Sequence, residues 1–184
     1  MKARTTGRVI AAAGVAAIGI AAGLALSRTR RTALKAVMVL TGDWEKQLKS
    51  EHRAVKRLLK AMSDSEPGET AKRAALLESV DDALTRHALE EEKVIYPALK
   101  TAGAGEAVEQ LYADHGEMKT LTRSLHELAG EDPRWLDQVK ALQRLVQKHV
   151  RREEDLFPLL HELGDDERNR TLTGLVRREA ARVH

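Results

Sequence analysis

Four of the seven histidines stand in a repeat that limits what this chain can fold into. His52 is followed 35 residues later by His87, and His115 is followed 34 residues later by His149. His87 has Glu91 four places on, and His149 has Glu153 four places on. A shift of 62 residues superimposes His87, Glu91 and Glu92 on His149, Glu153 and Glu154, and a shift of 63 superimposes Glu51-His52 on Asp114-His115. Residues i and i+4 of an α-helix lie one turn apart on the same face. Each His-x-x-x-Glu pair therefore presents an imidazole and a carboxylate to one point.

The histidines also keep the apolar period. Leu48, His52, Val55 and Leu59 share a face, as do Leu84, His87, Glu91 and Val94. The same holds for Leu111, His115, Met118 and Leu121, and for Leu142, Val146, His149, Glu153 and Leu156. Four amphipathic helices with their histidines turned inward are the expectation. The first starts at Asp43 and ends at a turn over residues 63–68. The second covers 69–98 and stops near Pro97; the third covers 106–128. Asp132 is read as the N-cap and Pro133 as the first position of the fourth, which ends near Phe157-Pro158. A polar tail helix covers 165–183. Short connections favour an all-α, up-down four-helix bundle. The chain then divides into an N-terminal membrane anchor (1–30), a linker (31–42), the bundle (43–162) and the tail helix (163–184).

Two carboxylates and four imidazoles inside an apolar bundle cost several kcal/mol if left unpaired. Metal cations remove that cost, and a carboxylate with two oxygens can bridge two of them. The chain contains no cysteine, so disulfides, zinc fingers and thiolate-held iron–sulfur clusters are excluded. Nitrogen and oxygen donors without sulfur suit iron, manganese or zinc. Iron is favoured, because this donor set leaves coordination positions open for oxygen chemistry. His126, His161 and His184 match no repeat and are read as surface or interface residues. Glu51 and Asp114 directly precede a histidine and cannot share its face. A structural role, or orientation of a histidine on the next helix, suits them better than ligation. Glu92 and Glu154 are read as solvated.

Residues 9–26 carry no charge. As a helix they rise about 27 Å, close to the roughly 30 Å of bilayer hydrocarbon. Lys2, Arg4 and Arg8 precede the run, and Arg28, Arg30, Arg31 and Lys35 follow it. A single transmembrane helix is the first reading, with the C-terminal domain in the cytoplasm by the positive-inside rule. A signal peptide cleaved near Ala25-Leu26-Ser27, leaving a secreted or periplasmic protein, is the second. Gly19 and Gly23 are spaced to let two such helices pack as a homodimer. Net charge is only +3 with both signs interspersed, and no basic face suits a nucleic acid.

The motifs Glu51-His52, HALEEEKVIYP (His87 to Pro97), Asp114-His115 and HVRREEDLFP (His149 to Pro158) resemble the hemerythrin HHE cation-binding family over residues 45–160. The resemblance implies a four-helix bundle with a carboxylate-bridged, non-haem di-iron centre. Its implied ligands are His52, His87, Glu91, His115, His149 and Glu153. The oxygen carriers of that family place a histidine where Glu91 stands here. His149 to Pro158 is also one residue shorter than His87 to Pro97, so the two helix ends should differ. The ferritin-like Glu-x-x-His pattern is absent, since no histidine has a glutamate three places before it.

Two functions follow from a metal reading. One is a membrane-tethered module that senses or buffers dioxygen, nitric oxide or iron. The other is a di-iron oxidoreductase acting on peroxide or nitrogen oxides, with Tyr96, Tyr112 or Glu90 as candidate proton donors. A metal-free structural bundle is the third alternative.

Overall fold

Asp43 opens the first helix by accepting the backbone N–H of Lys46 on its carboxylate at 2.9 Å, satisfying one of the free donors of a helix start. The structure is a computed structural model and describes residues 43–182. Its helices are α1 (Trp44–Ser63), α2 (Thr70–Glu90), a π-helical stretch (Glu91–Ile95), α3 (Tyr96–Thr101), α4 (Gly105–Glu127), α5 (Trp135–Glu154), α6 (Phe157–Glu162) and α7 (Asp166–Arg182). The described residues contain no strand. Residues 70–101 form one continuous rod, and α5 with α6 forms another, interrupted at Asp155-Leu156. With α1 and α4 they make four rods. α1 packs on α2 and α5, and α4 packs on the same two. That neighbour pattern and the short connections give the up-down bundle.

The core is divided along the bundle axis. One apolar cluster contains Val55, Leu59, Met62, Val80, Leu125 and Leu142. The other contains Leu48, Ile95, Leu99, Leu111, Phe157 and Leu160. On every rod the inward histidine falls between the two clusters. Fully burying each leucine or phenylalanine contributes about 1.5–3 kcal/mol, so the apolar ends hold the bundle and the middle can carry polar groups. At the first end, the buried Arg73 donates to Ser65 Oγ (3.0 Å), to the Ser65 carbonyl (2.6 Å) and to the Gly130 carbonyl. Its guanidinium also sits 4.3 Å from the Trp135 ring centroid. One side chain thus ties the α1–α2 turn to the α4–α5 loop. A Cβ at Gly130 would meet Thr70 at 3.2 Å, so that close approach favours glycine. Gly103 turns the chain between α3 and α4 at φ 90°, a backbone state that side chains disfavour.

Three boundaries depart from expectation. The second rod does not stop near Pro97 but continues to Thr101. The extra residue between His87 and Pro97 is absorbed as a π turn, in which the Tyr96 N–H reaches the Glu91 carbonyl five residues back. Pro97 has no N–H to offer and sits where the wider turn returns to α geometry, so it breaks nothing. On the shorter segment the helix instead pauses at Asp155-Leu156 and resumes with Pro158 in its first turn. α5 begins at Trp135, with Arg134 rather than Asp132 at the cap position. Asp132 bends the preceding turn, accepting the Arg134 N–H at 2.8 Å.

The tail helix α7 packs on α1, α2 and the π stretch. It buries Leu172 and Val176, and Asn169 Oδ1 accepts the Trp44 indole N–H at 2.6 Å. The transmembrane reading of residues 9–26 lies outside the described residues. Among the described residues no helix is long and apolar enough to cross a membrane.

Candidate metal centre

The polar layer is assembled from all four rods. α1 supplies His52, and the last turn of α2 supplies His87. Glu91 is the first residue of the π stretch, still four places after His87. α4 supplies His115, and α5 supplies His149 and Glu153. None of the six is more than 4% exposed.

Glu91 lies at the centre. Its Oε1 is 2.6 Å from His87 Nε2 and 3.5 Å from His52 Nε2. Its Oε2 is 3.2 Å from His115 Nε2 and 3.9 Å from His149 Nε2. Glu153 Oε2 stands 3.1 Å from His52 Nε2. Two donor groups result, each with its donor atoms within 4.8 Å of one another: His52, His87, Glu91 and Glu153, and Glu91, His115 and His149. Glu91 belongs to both. His52 Nε2, His87 Nε2, His149 Nε2, Glu91 Oε1 and both Glu153 oxygens are buried without a hydrogen-bond partner. Each such atom costs about 1–3 kcal/mol, and they converge on one place. A cluster of this composition could hold a metal, because cations satisfy all of these lone pairs together.

The charges point the same way. Burial pushes Glu91 up, but His87, His115, His149 and His52 around it hold its carboxyl well below the usual range. Glu153 has fewer cationic neighbours. Burial and the charge of Glu91 push it up to about 7. Burial works against the His52 cation, yet its contacts with Glu153 and Glu91 raise it to about 9. His149, with burial dominant, is lowered. The layer gathers protons to balance its carboxylates, and cations can take that role.

A second ring of carboxylates surrounds the first. His52 Nδ1 pairs with Glu154 Oε1 at 2.8 Å, His87 Nδ1 with Glu51 Oε2 at 2.9 Å, and His115 Nδ1 with Glu92 Oε1 at 2.9 Å. His149 Nδ1 is 3.7 Å from Asp114 Oδ2, which is engaged by Arg152 at 2.5 Å. A carboxylate offers acceptors, so Nδ1 of His52, His87 and His115 donates and the Nε2 lone pair of each is aimed inward, whereas His149 Nδ1 has no hydrogen-bond partner. Glu51 and Asp114 thus face a histidine of the next rod, one of the two roles expected for them. Glu92 and Glu154 are not simply solvated; each faces a histidine on another rod. A signal for them existed, since the 62-residue shift that superimposes the inward glutamates superimposes these two as well.

Of the three candidate proton donors, Tyr96 enters the site. Its hydroxyl donates to Glu91 Oε2 at 3.2 Å and lies 3.1 Å from His115 Nε2. Phe157 stands at the matching place before Pro158 and has no hydroxyl, so the two halves differ. Tyr112 stands behind, its ring edge-on to Tyr96 at 5.0 Å. Glu90 is buried on another face, bonded to Gln47 at 2.8 Å. Burial and the nearby Glu51 push its carboxyl up to about 8. His161 lies apart, stacked on Trp44 and paired with Glu45 at 2.7 Å. His126 is exposed near Glu78 and Asp81. His184 lies outside the described residues.

The fold and sequence have relatives. The crystal structure of a hemerythrin HHE cation-binding domain-containing protein from Mycobacterium kansasii superimposes with a TM-score of 0.66. It is 23% identical and covers 78% of this chain and 86% of its own. That likeness shows the fold. A DNA nickase from Nostoc sp. is 35% identical over 71 residues, 39% of this chain. The match spans about 20% of that relative's length. The family described as Hemerythrin HHE cation binding domain matches residues 45–160, which hold both halves of the His/Glu layer. With most of the bundle inside that match, the chain belongs to the hemerythrin HHE cation-binding family.

Proposed function

We propose that this chain binds two non-haem iron ions and uses them to sense or buffer dioxygen, nitric oxide or iron. The residues that would hold them are His52, His87, Glu91, His115, His149 and Glu153, with Glu91 common to both donor groups. The observation that carries this reading is the set of buried, unpartnered nitrogen and oxygen atoms converging between the two apolar clusters. The absence of sulfur favours iron, with manganese or zinc as the other metals this chemistry admits. Bound iron supplies one-electron chemistry and Lewis acidity toward a small ligand. The chain's own part is to aim four Nε2 atoms, to hold the His52, His87 and His115 rings through their Nδ1 carboxylates, and to keep bulk water out with the apolar ends.

Protein grown with iron should carry about two ions per chain, as a carboxylate-bridged bundle site requires. Co-purification of no metal overturns the reading in favour of a structural bundle. His149→Ala should lower iron content and melting temperature together, because metal binding supplies folding free energy. Unchanged iron in that variant removes His149 from the donor set.

A second reading, a di-iron oxidoreductase for peroxide or nitrogen oxides, is favoured by Tyr96. Its hydroxyl keeps a proton beside the three-donor half, since burial and Glu91 push the phenol far above its ordinary value. Steady turnover of peroxide or nitric oxide supports this reading; a stable adduct supports the sensor.

We further propose that residues 9–26 tether the bundle to a membrane, with the bundle on the cytoplasmic side. The uncharged run between basic flanks supports it. The alternative is a signal peptide. The Gly19/Gly23 spacing suits pairing of two tethers. The full chain should sediment with membranes, and removal of residues 1–30 should release it. A mature chain starting near Ser27 supports the signal peptide instead.

A further inference from the structure

The His/Glu layer does not fill the space between the rods. A cavity of about 30 Å³ lies beside it, touching all four ring systems of His52, His87, His115 and His149. Its walls are apolar: Val55 from α1, Leu84 and Ala88 from α2, Met118 from α4, and Val146 and Val150 from α5. Its lining also takes in polar residues, Asp81 and the exposed Thr85 on α2 and, on α4, the exposed Lys119 and the buried Thr122. Thr85 and Lys119 are exposed, whereas Met118, Ala88 and the histidines are buried. The space therefore runs from the surface between α2 and α4 to the four histidines.

We infer that a small neutral ligand reaches the centre between α2 and α4, past Thr85 and Met118, and that this passage limits what the centre can bind. The inference rests on the proposed metal reading and adds its route and selectivity. Size sets the first limit. A water needs on the order of 10–15 Å³ of space measured this way, so the cavity holds about two waters or one diatomic molecule. Polarity sets the second. An anion entering between Val55, Leu84, Met118 and Val146 would lose its hydration with no donor on the apolar walls to replace it. Dioxygen and nitric oxide lose almost nothing there. The polar mouth does not alter this, because Asp81 and Lys119 bring charges of opposite sign to it. Ala88 is the control point within the walls. It is 7% exposed, sits next to His87, and is small where a larger side chain would occupy the free space.

The route is tested with nitric oxide on the diferrous protein, followed by stopped-flow absorbance, together with iron content. Thr85→Phe, at the exposed mouth, and Ala88→Leu, inside, should retain iron and slow nitric oxide association at least tenfold. Met118→Ala should speed it. Rates within twofold of the parent in Thr85→Phe and Ala88→Leu, with iron retained, overturn the route. A metal-independent readout uses the chelated protein under oxygen pressure. Dissolved dioxygen should selectively relax the methyl resonances of Val55, Leu84 and Met118, and Ala88→Leu should remove that effect. Uniform relaxation of surface and cavity methyls overturns the inference even if Ala88→Leu disturbs iron binding. A parent that takes up no iron yet shows selective relaxation sinks the metal reading while the passage stands.

Discussion

Three histidines of the layer are held at both ends. Nε2 of His52, His87 and His115 points toward Glu91 or Glu153, and Nδ1 pairs with Glu154, Glu51 and Glu92 in turn. The outer contact fixes ring orientation and makes the inward nitrogen a better donor. Glu51→Gln and Glu154→Gln should each lower iron affinity by about 10–100-fold while keeping the bundle folded, read by competition with a chelator and by circular dichroism. The two residues are part-exposed, so the metal-free melting temperature should move little. An affinity within threefold of the parent in both variants would deny the outer carboxylates any part in holding the site. His149 is the exception in the ring. Its Nδ1 contact is long, because Asp114 is shared with Arg152 and with Gln110 at 3.2 Å.

Among the elements, the π stretch Glu91–Ile95 has the clearest consequence. One residue added to a helix rotates everything after it by about 100° unless the chain widens a turn. Here the widening follows Glu91. It leaves the His87–Glu91 pair intact while setting Tyr96 and Leu99 inward. Deleting Lys93, the exposed residue of the stretch, should restore plain α geometry and leave Tyr96 four places after Glu91, still facing inward as Phe157 does after Glu153. The deletion should shift stability by no more than about 1 kcal/mol, measured by urea unfolding. A loss on the order of 3 kcal/mol, comparable with losing a large core side chain, would show that the π turn is needed to aim the helix. α6 illustrates the other solution. Without the additional residue, the helix breaks at Asp155-Leu156 and starts afresh to bury Phe157 and Leu160.

At the scale of the whole molecule, the bundle keeps a polar layer between two apolar clusters, and its stability should depend on what balances that layer. Glu153 and Glu90 titrate at about 7 and about 8 instead of 4.5, and His52 at about 9 instead of 6.5. All three bind protons more tightly in the folded than in the unfolded chain. Their contribution is fully present below the unfolded values and is lost as pH rises through the folded ones. Glu91 works in the opposite sense, but only in acid, because its folded value is depressed. His149, being lowered, adds a cost below 6.5. The chelated protein should therefore lose thermal stability between about pH 6 and pH 9. On the proposed metal reading, metal ions would replace those protons, so their binding should strengthen over the same range. The gap in melting temperature between iron-loaded and chelated protein should widen from pH 6 to pH 9 by calorimetry. A constant or shrinking gap would mean that the layer is balanced some other way.

Local periodicity was enough to read four inward faces, the six side chains that converge between them and the tail helix. An i,i+4 pair lies on one side of its helix whatever the helix packs against. The helix start at Asp43 and the connections near Gly68 and Gly103 were legible from local composition, though the capping role of Asp43 came from the structure. What crosses between rods was not. Glu92 and Glu154 stand one step off the inward stripe, and only the neighbouring helix decides that they meet His115 and His52 rather than water. The passage of the helix through Pro97 also depended on packing. The sequence shows an extra residue there, but a π turn is selected only when Ile95, Tyr96 and Leu99 must all reach the core. Helical period is a property of one segment, whereas the partner of a side chain is a property of two.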